Sequence, residues 1–311
     1  MRLSLAWACV VSVSVSSVVV VSSGVATAAC SSDSGGSSGQ PFVPEGGMIT
    51  EDGAVVDMDG NVVEQDSSPP KPSKVDATNE KVDVFGTARD YVLVVPKTYD
   101  ASRQYPLIVA LHGDGGNAQG FRAELDFDDL AGDDAIAVYL EGSQDLGVGT
   151  PYDQVPDQVF VEATINAVKG KRSIDDAKIW GFGYSKGGFQ LNQIACRKPG
   201  LLKAMAVHAS GAPQEPAGGD GFPQCPGVVA LPVLVTEGEF DGDIGGLYAA
   251  NYWGKVGGCT TYNDPPRPLS CEPYAGCGAG KNVTFCRAAG VGHFPIWKQA
   301  AAMSWTFFKA L

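Results

Sequence analysis

Gly181-Phe182-Gly183-Tyr184-Ser185-Lys186-Gly187-Gly188 sets a G-x-S-x-G pattern directly behind a β-prone run, Ala177 to Trp180, and directly ahead of a helical pattern, Phe189 to Cys196. A strand that becomes a helix within so few residues holds the intervening serine in a strained backbone conformation. Side chains at the flanking Gly183 and Gly187 would crowd the strand and the helix. Ser185 is therefore the candidate nucleophile. The pattern alone decides little in a chain of 311 residues with 40 glycines, because a small residue in a glycine-rich turn spells the same letters. What decides is whether partners follow.

They follow in order. Val233 to Thr236 reads as a buried strand and runs into Glu237-Gly238-Glu239-Phe240-Asp241-Gly242, a turn loaded with carboxylates. Asp241 is the candidate acid on its spacing from the strand, with Glu237, Glu239 and Asp243 as neighbouring alternatives. Asn282 to Arg287 alternates as a last strand, and Gly290-Val291-Gly292-His293-Phe294-Pro295 then leaves His293, the candidate base, on a glycine-flanked loop. A serine hydroxyl is a poor nucleophile until an imidazole takes its proton, and a carboxylate fixes that imidazole's tautomer and stabilises its cation. The chain has only three histidines. His208, at the end of the strand pattern Ala204 to Val207, reads as a packed core imidazole, and His112 as a structural residue of the loop it opens.

That loop follows the buried strand Pro106 to Leu111 and reads His112-Gly113-Asp114-Gly115-Gly116-Asn117. Acyl transfer needs donors for a developing oxyanion, and the backbone N–H groups of Lys186 and Asp114 are the candidates. The loop lacks the G-x-x-x-x-G-K-[ST] spacing of a phosphate cradle. No cofactor or metal is called for. Asp57, Asp59 and Asn61 have calcium-like spacing, but the rest of an EF-hand is missing and a solvated turn is the reading adopted.

Residues from about 80 to 311 resemble the secreted esterase family that includes feruloyl esterases, acetyl xylan esterases and polyhydroxybutyrate depolymerases. The resemblance runs through Asp90-Tyr91-Val92-Leu93-Val94-Val95-Pro96, similar to that family's first strand, and through Leu111 to Ala118, Ile174-Asp175, Gly183 to Gly188 and Gly292-His293. It implies an α/β-hydrolase fold: a doubly wound, mostly parallel sheet in a single disulfide-bonded domain. It also implies an ester substrate, polymeric in several members (plant-wall polysaccharide or polyhydroxyalkanoate). Lys186 departs from the family, whose members have an uncharged polar or small residue after the serine, and Phe294-Pro295 stands where Thr-Trp-Pro is common. Tyr184, Phe294 and Trp297 lie near the candidate triad, and each either lines a substrate pocket or belongs to the core. Trp180, Trp253 and Trp305 read as packing residues.

The chain begins as an export signal over residues 1–29: Arg2, then an apolar stretch from Leu3 to Val21 diluted with serines, then Ala26-Thr27-Ala28-Ala29-Cys30. Cys30 and the Ser/Gly run after it resemble the lipidated cysteine of bacterial lipoproteins, which would tether the protein to a membrane; cleavage after Ala28 or Ala29 with plain secretion is the alternative. Residues 30–80 read as a disordered acidic tether rich in Ser, Gly and Pro, with a hairpin over the repeated Asp52-Gly53-Ala54-Val55-Val56 and Asp59-Gly60-Asn61-Val62-Val63. Ten carboxylates there outnumber Lys71 and Lys74 by eight, so with Arg2 the only earlier charge, residues 81–311 carry −6 of the total −13. This acidity excludes nucleic acid as a partner class.

Six cysteines remain beyond Cys9 and Cys30: Cys196, Cys225, Cys259, Cys271, Cys277 and Cys286. An even set in an exported chain points to disulfides, and spacing alone allows fifteen pairings. The family resemblance implies Cys196–Cys225 and Cys259–Cys286, and proximity joins Cys271 to Cys277. The reading that emerges is a serine esterase catalytic domain over residues 81–311. Two alternatives stand beside it: a non-catalytic surface binding protein of the same fold, which Lys186 favours, and a serine peptidase, which the lack of a preceding propeller disfavours. The segment Ser143 to Asp157 is the expected loop shaping the site.

Overall fold

The computed structural model describes residues 48–49, 55–56, 73–142, 155–213, 225–242, 245–260, 271–294 and 296–311. The export signal, Cys30 and most of the tether lie outside these residues, as does 143–154 of the expected site loop; from Val155 onward that stretch is helix. The chain divides into two units, residues 1–69 and 70–311. In the first, β1 (Met48–Ile49) pairs antiparallel with β2 (Val55–Val56). Val55-Val56 thus pairs with residues upstream, and Val62-Val63 of the second Asp-Gly repeat lies outside the described residues.

The second unit is built on one sheet. Its strands are β3 (Val75–Val84), β4 (Thr87–Pro96), β5 (Tyr105–Leu111), β6 (Ile136–Leu140), β7 (Ile174–Tyr184), β8 (Ala204–His208), β9 (Val233–Gly238), β10 (Cys271–Pro273) and β11 (Val283–Ala288). They lie in the order β10-β11-β9-β8-β7-β5-β6-β4-β3. The six strands from β11 to β6 are parallel, while β3, β4 and β10 run antiparallel to their neighbours. Helices α1 (Ala118–Leu125), α2 (Phe127–Leu130), α3 (Val155–Lys169), α4 (Lys186–Arg197), α5 (Gly245–Gly257) and α6 (Ile296–Lys309) cover it. This is the α/β-hydrolase architecture.

Strand alternation sorts the apolar residues onto two faces. Along β5, Leu107, Val109 and Leu111 join a core that holds Val161 of α3, Leu191 of α4 and Trp253 of α5. Ile108 and Ala110, pointing the other way, join Phe121 of α1 with Trp305 and Phe308 of α6. A strand buried on both faces reads as a continuous apolar run, which is why β5 is legible and β3 is not. In β3 only Val75 and Val84 are fully buried, and its exposed polar residues have the composition of a tether. The folded unit therefore takes in residues 75–80, assigned above to the tether, and β4 is the second strand, not the first. Trp180 stacks on Phe308 with ring centroids 5.0 Å apart, and Trp253 donates to Asn192 Oδ1 at 2.7 Å.

The disulfides are Cys196–Cys225, Cys259–Cys277 and Cys271–Cys286. The first pairing agrees with the expectation; the other two partners are exchanged. The reason lies in register: β10 runs antiparallel to β11 and sets Cys271 directly opposite Cys286. The chain beyond β10 then turns back to the end of α5, where Gly278 N–H donates to Gly257 O at 3.1 Å and Thr260 bridges Ala275, bringing Cys277 to Cys259. Proximity in sequence misleads because an extended strand carries Cys271 away from Cys277. Peptide mapping of the non-reduced protein is expected to recover the 271–286 and 259–277 cross-links; a 271–277 peptide would contradict the β10–β11 register.

His208 closes β8 and is wholly buried. Its Nε2 lies 2.9 Å from Ser304 Oγ, whose own hydroxyl donates to Ala300 O at 2.7 Å. The serine oxygen therefore accepts, and the neutral ring carries its hydrogen on Nε2. Burial lowers the imidazole pKa from 6.5 to about 3. Below pH 6.5 the unfolded chain binds a proton here that the folded chain refuses, so the stability from this site is complete above that pH and is lost as pH falls toward 3. The expected loss is up to about 1.4 kcal/mol per pH unit across that window. Urea unfolding at several pH values measures it, with His208→Gln expected to flatten the dependence; an unchanged slope in the variant would assign the acid sensitivity to other groups.

Candidate active site

The end of β7 and the start of α4 leave Ser185 alone to make the turn, at φ 49° and ψ −119°. Its N–H donates to His208 O at 2.8 Å, and its carbonyl accepts from Phe189 N–H at 3.0 Å. The turn is possible only because two neighbours are glycine: a Cβ on Gly183 would sit 2.6 Å from Gly187 O, and one on Gly187 would overlap the carbonyls of Leu111 and His112. Backbone is thus packed on backbone beneath the serine, with no side chain able to give way.

His293 meets the serine from the loop after β11, with Nε2 2.9 Å from Ser185 Oγ. Its Nδ1 lies 2.8 Å from Asp241 Oδ1, on the loop after β9. A carboxylate only accepts, so the hydrogen is on Nδ1 and the Nε2 lone pair faces the serine hydroxyl. The Asp241 side chain is 7% exposed and that of His293 35%, an inward acid behind a base at the surface. The other carboxylates of the acid turn are otherwise engaged. Glu239 accepts from Gly290 N–H at 2.9 Å, and Glu237 is buried beside Arg287 at 3.7 Å; Asp243 lies outside the described residues.

The acid and base loops are stitched by main chain. Glu239 N–H donates to Ala288 O and Phe240 N–H to Val291 O, each at 2.9 Å. A Cβ on Gly238 would stand 2.6 Å from Val291 O. From the other side, the Tyr184 hydroxyl donates to His293 O at 3.0 Å. Burial, reinforced by the Asp241 charge, holds that phenol protonated far above its ordinary range. Tyr184 and Trp297 are buried and pack on each other, with ring centroids 4.8 Å apart, so they support the site from the core. Phe294 is 60% exposed and Phe240 69%, and both border the triad loops.

The loop between β5 and α1 arches over the serine. A Cβ on Gly113 would be 2.7 Å from the Tyr184 ring and 3.3 Å from Ser185 Cβ. Both ends of the loop are pinned to the end of β6. His112 Nε2 accepts from Gly142 N–H at 2.9 Å while its Nδ1–H donates to Gly113 O at 2.7 Å, which makes it a neutral structural imidazole. Glu141 Oε2 accepts from Ala118 N–H, the start of α1, at 2.9 Å. Sequence reasoning misses Glu141, because the apolar run Ile136 to Leu140 before it marks a strand but not that the strand's end meets the arch. In the loop's middle, Lys186 Nζ lies 2.9 Å from Asp114 Oδ1. That hydrogen bond is the chief cause holding the Asp114 carboxyl below its ordinary range.

A cavity of about 400 Å³ lies against this loop, with Arg89, Glu141, Asp157, Phe160, Lys186 and Gln190 among its walls. Ser185 and His293 are not among them. Part of its polar lining is already paired: Arg89 Nη2 donates to Asp157 Oδ1 at 2.9 Å and to Glu141 O at 3.1 Å.

No family model matches the chain. In sequence it is similar to feruloyl esterase B of Piromyces equi, 25% identical over 246 residues, covering 71% of this chain and 45% of the relative. It is also similar to feruloyl esterase C of Emericella nidulans, 27% identical over 205 residues, covering 63% of this chain and 70% of the relative. The chain thus spans less than half the length of the first of these. Among solved structures, acetyl xylan esterase from Aspergillus awamori shares the fold with a TM-score of 0.56 at 17% identity, over 74% of this chain and 99% of that one. The feruloyl esterase module from Clostridium thermocellum complexed with sinapinate shares it with a TM-score of 0.55 at 12% identity, over 76% and 88%. The chain thus has the α/β-hydrolase fold of these esterase structures and is similar in sequence to feruloyl esterases.

Proposed function

We propose that this protein is an exported serine esterase that hydrolyses carboxylic esters of plant-wall material through an acyl-enzyme. The observation that carries the reading is the unbroken chain from Ser185 Oγ to His293 Nε2 at 2.9 Å and from His293 Nδ1 to Asp241 Oδ1 at 2.8 Å. The Ser185 proton passes to His293 Nε2 as Oγ attacks the ester carbon, and the carbonyl oxygen becomes an oxyanion facing the N–H groups of Lys186 and Asp114. Collapse of the tetrahedral intermediate breaks the bond to the alcohol, which leaves with the proton held on Nε2. Water then attacks the acyl-serine, giving its proton to His293. The second collapse returns that proton to Oγ and releases the acid. Asp241 holds the imidazole in the required tautomer and balances its charge in both halves.

The substrate class rests on the relatives named feruloyl esterase, and export on the amino-terminal signal and the three disulfides. A lipid anchor at Cys30 remains part of the proposal, with plain secretion as its counterpart. Turnover of p-nitrophenyl acetate, methyl ferulate and a hydroxybutyrate oligomer by the full chain tests the reaction. Ser185→Ala is expected to lower kcat by at least about 10³-fold. A folded wild type with no Ser185-dependent hydrolysis of any of these esters would refute the esterase reading. Tyr184→Phe removes the hydroxyl that holds the His293 carbonyl and is expected to lower kcat severalfold with KM little changed. An unaltered kcat would show that the stitched main chain holds His293 unaided.

A further inference from the structure

Lys186 and Asp114 supply the two main-chain N–H groups of the proposed oxyanion site, and their side chains meet, Nζ to Oδ1 at 2.9 Å. The lysine, 14% exposed, lies down against the protein to reach an aspartate that is 58% exposed. With its aspartate more than half in solvent, the pair adds little to folding stability. Its location gives it a different use. The arch from His112 to Ala118 is pinned at its ends by Gly142 and Glu141, but its middle is glycine on both sides of Asp114. Gly116 N–H donates to Gly113 O at 3.2 Å and closes a turn through Asp114 and Gly115, the latter at φ 70° with no atom near where a Cβ would stand. One donor thus sits on the first turn of α4, packed backbone on backbone, and the other in a glycine-flanked turn of the arch closed by one main-chain hydrogen bond.

We infer that the Asp114–Lys186 ion pair is a positioning pair that ties the arch to the helix start and fixes the spacing of the two N–H donors. This rests on the esterase reading. It gives the lysine directly after the nucleophile, a departure from the family pattern, a role in the reaction and not against it. Oxyanion donors act by preorganisation, so a pair that sets their spacing acts on the transition state and leaves ground-state binding nearly untouched.

The test measures kcat and KM for p-nitrophenyl acetate, affinity for phenylboronic acid and the thermal midpoint, in wild type, Asp114→Asn, Lys186→Met, Lys186→Arg and the Asp114→Asn/Lys186→Met double variant. Each of the two single disruptions is expected to lower kcat about 10- to 100-fold, less than the 10²–10³ that follows loss of a donor outright. KM and the midpoint should stay near wild type, and boronate affinity should fall in parallel with kcat, because its tetrahedral serine adduct fills the same oxyanion site. The double variant should be no slower than the slower single one, the mark of a coupled pair, and Lys186→Arg should restore most of kcat. Independent, multiplying losses, or full kcat in both single variants, would overturn the positioning role, and a midpoint that collapses with kcat would replace it with a role in folding. A wild type without Ser185-dependent turnover would overturn the esterase reading and the pair's part in it together. Turnover without coupling would overturn the pair alone.

Discussion

Everything at the site depends on one close approach of backbone to backbone. The carbonyls of Leu111 and His112, at the end of β5, lie against Gly187 where no Cβ can fit. This contact forces β7 to become α4 through a single residue and leaves Ser185 at φ 49°. Such a conformation persists only where its surroundings over-determine it. Here they are the His208 carbonyl that takes the serine N–H and the Phe189 N–H that takes its carbonyl. The same contact places the loop after β5 over the serine, so the candidate nucleophile and the candidate oxyanion loop are positioned by one packing event.

The second level of organisation is the edge of the sheet. The candidate acid and base come from loops after neighbouring parallel strands, β9 and β11, whose register sets Glu237 beside Arg287 and Gly238 beside Ala288. Hydrogen bonds continue past the strand ends through Glu239 and Phe240, so the two loops extend the sheet by a few residues. Asp241 and His293 emerge where that extension stops. The disulfide from Cys271 to Cys286 fastens β10 across the outer edge of the same strand that delivers the histidine, protecting an edge that would otherwise be open.

How much of this is legible in the sequence follows from which physics leaves a local trace. Central parallel strands are buried on both faces, so Pro106 to Leu111 and Val233 to Thr236 stand out as apolar runs. The turns after them carry Gly and Asp because only those residues suit tight, polar strand ends. Ser185, Asp241 and His293 are readable as candidates because each sits just past such a run, and the structure brings the three together. What is not legible is whatever depends on contacts distant in sequence. The edge strand β3 has a half-solvated composition indistinguishable from a linker. Glu141 gains its place at the arch from the end of β6, thirty residues beyond the strand it serves, and nothing near it in sequence records that. The cysteine pairing turns on the register of a three-residue strand, which spacing does not encode.

Main-chain hydrogen bonds and the Glu239 carboxylate stitch together the loops that carry Asp241 and His293. Phe240 holds the loops together through its N–H alone, while its ring stands 69% exposed at their rim. In the proposed chemistry the departing alcohol takes its proton from His293, which stands on one of these two loops. Alignment of the loops and exposed apolar surface are thus carried by different parts of the same residue, backbone for one and side chain for the other. The ring at 240 can therefore be exchanged while the main-chain bonds that align the two loops stay as they are.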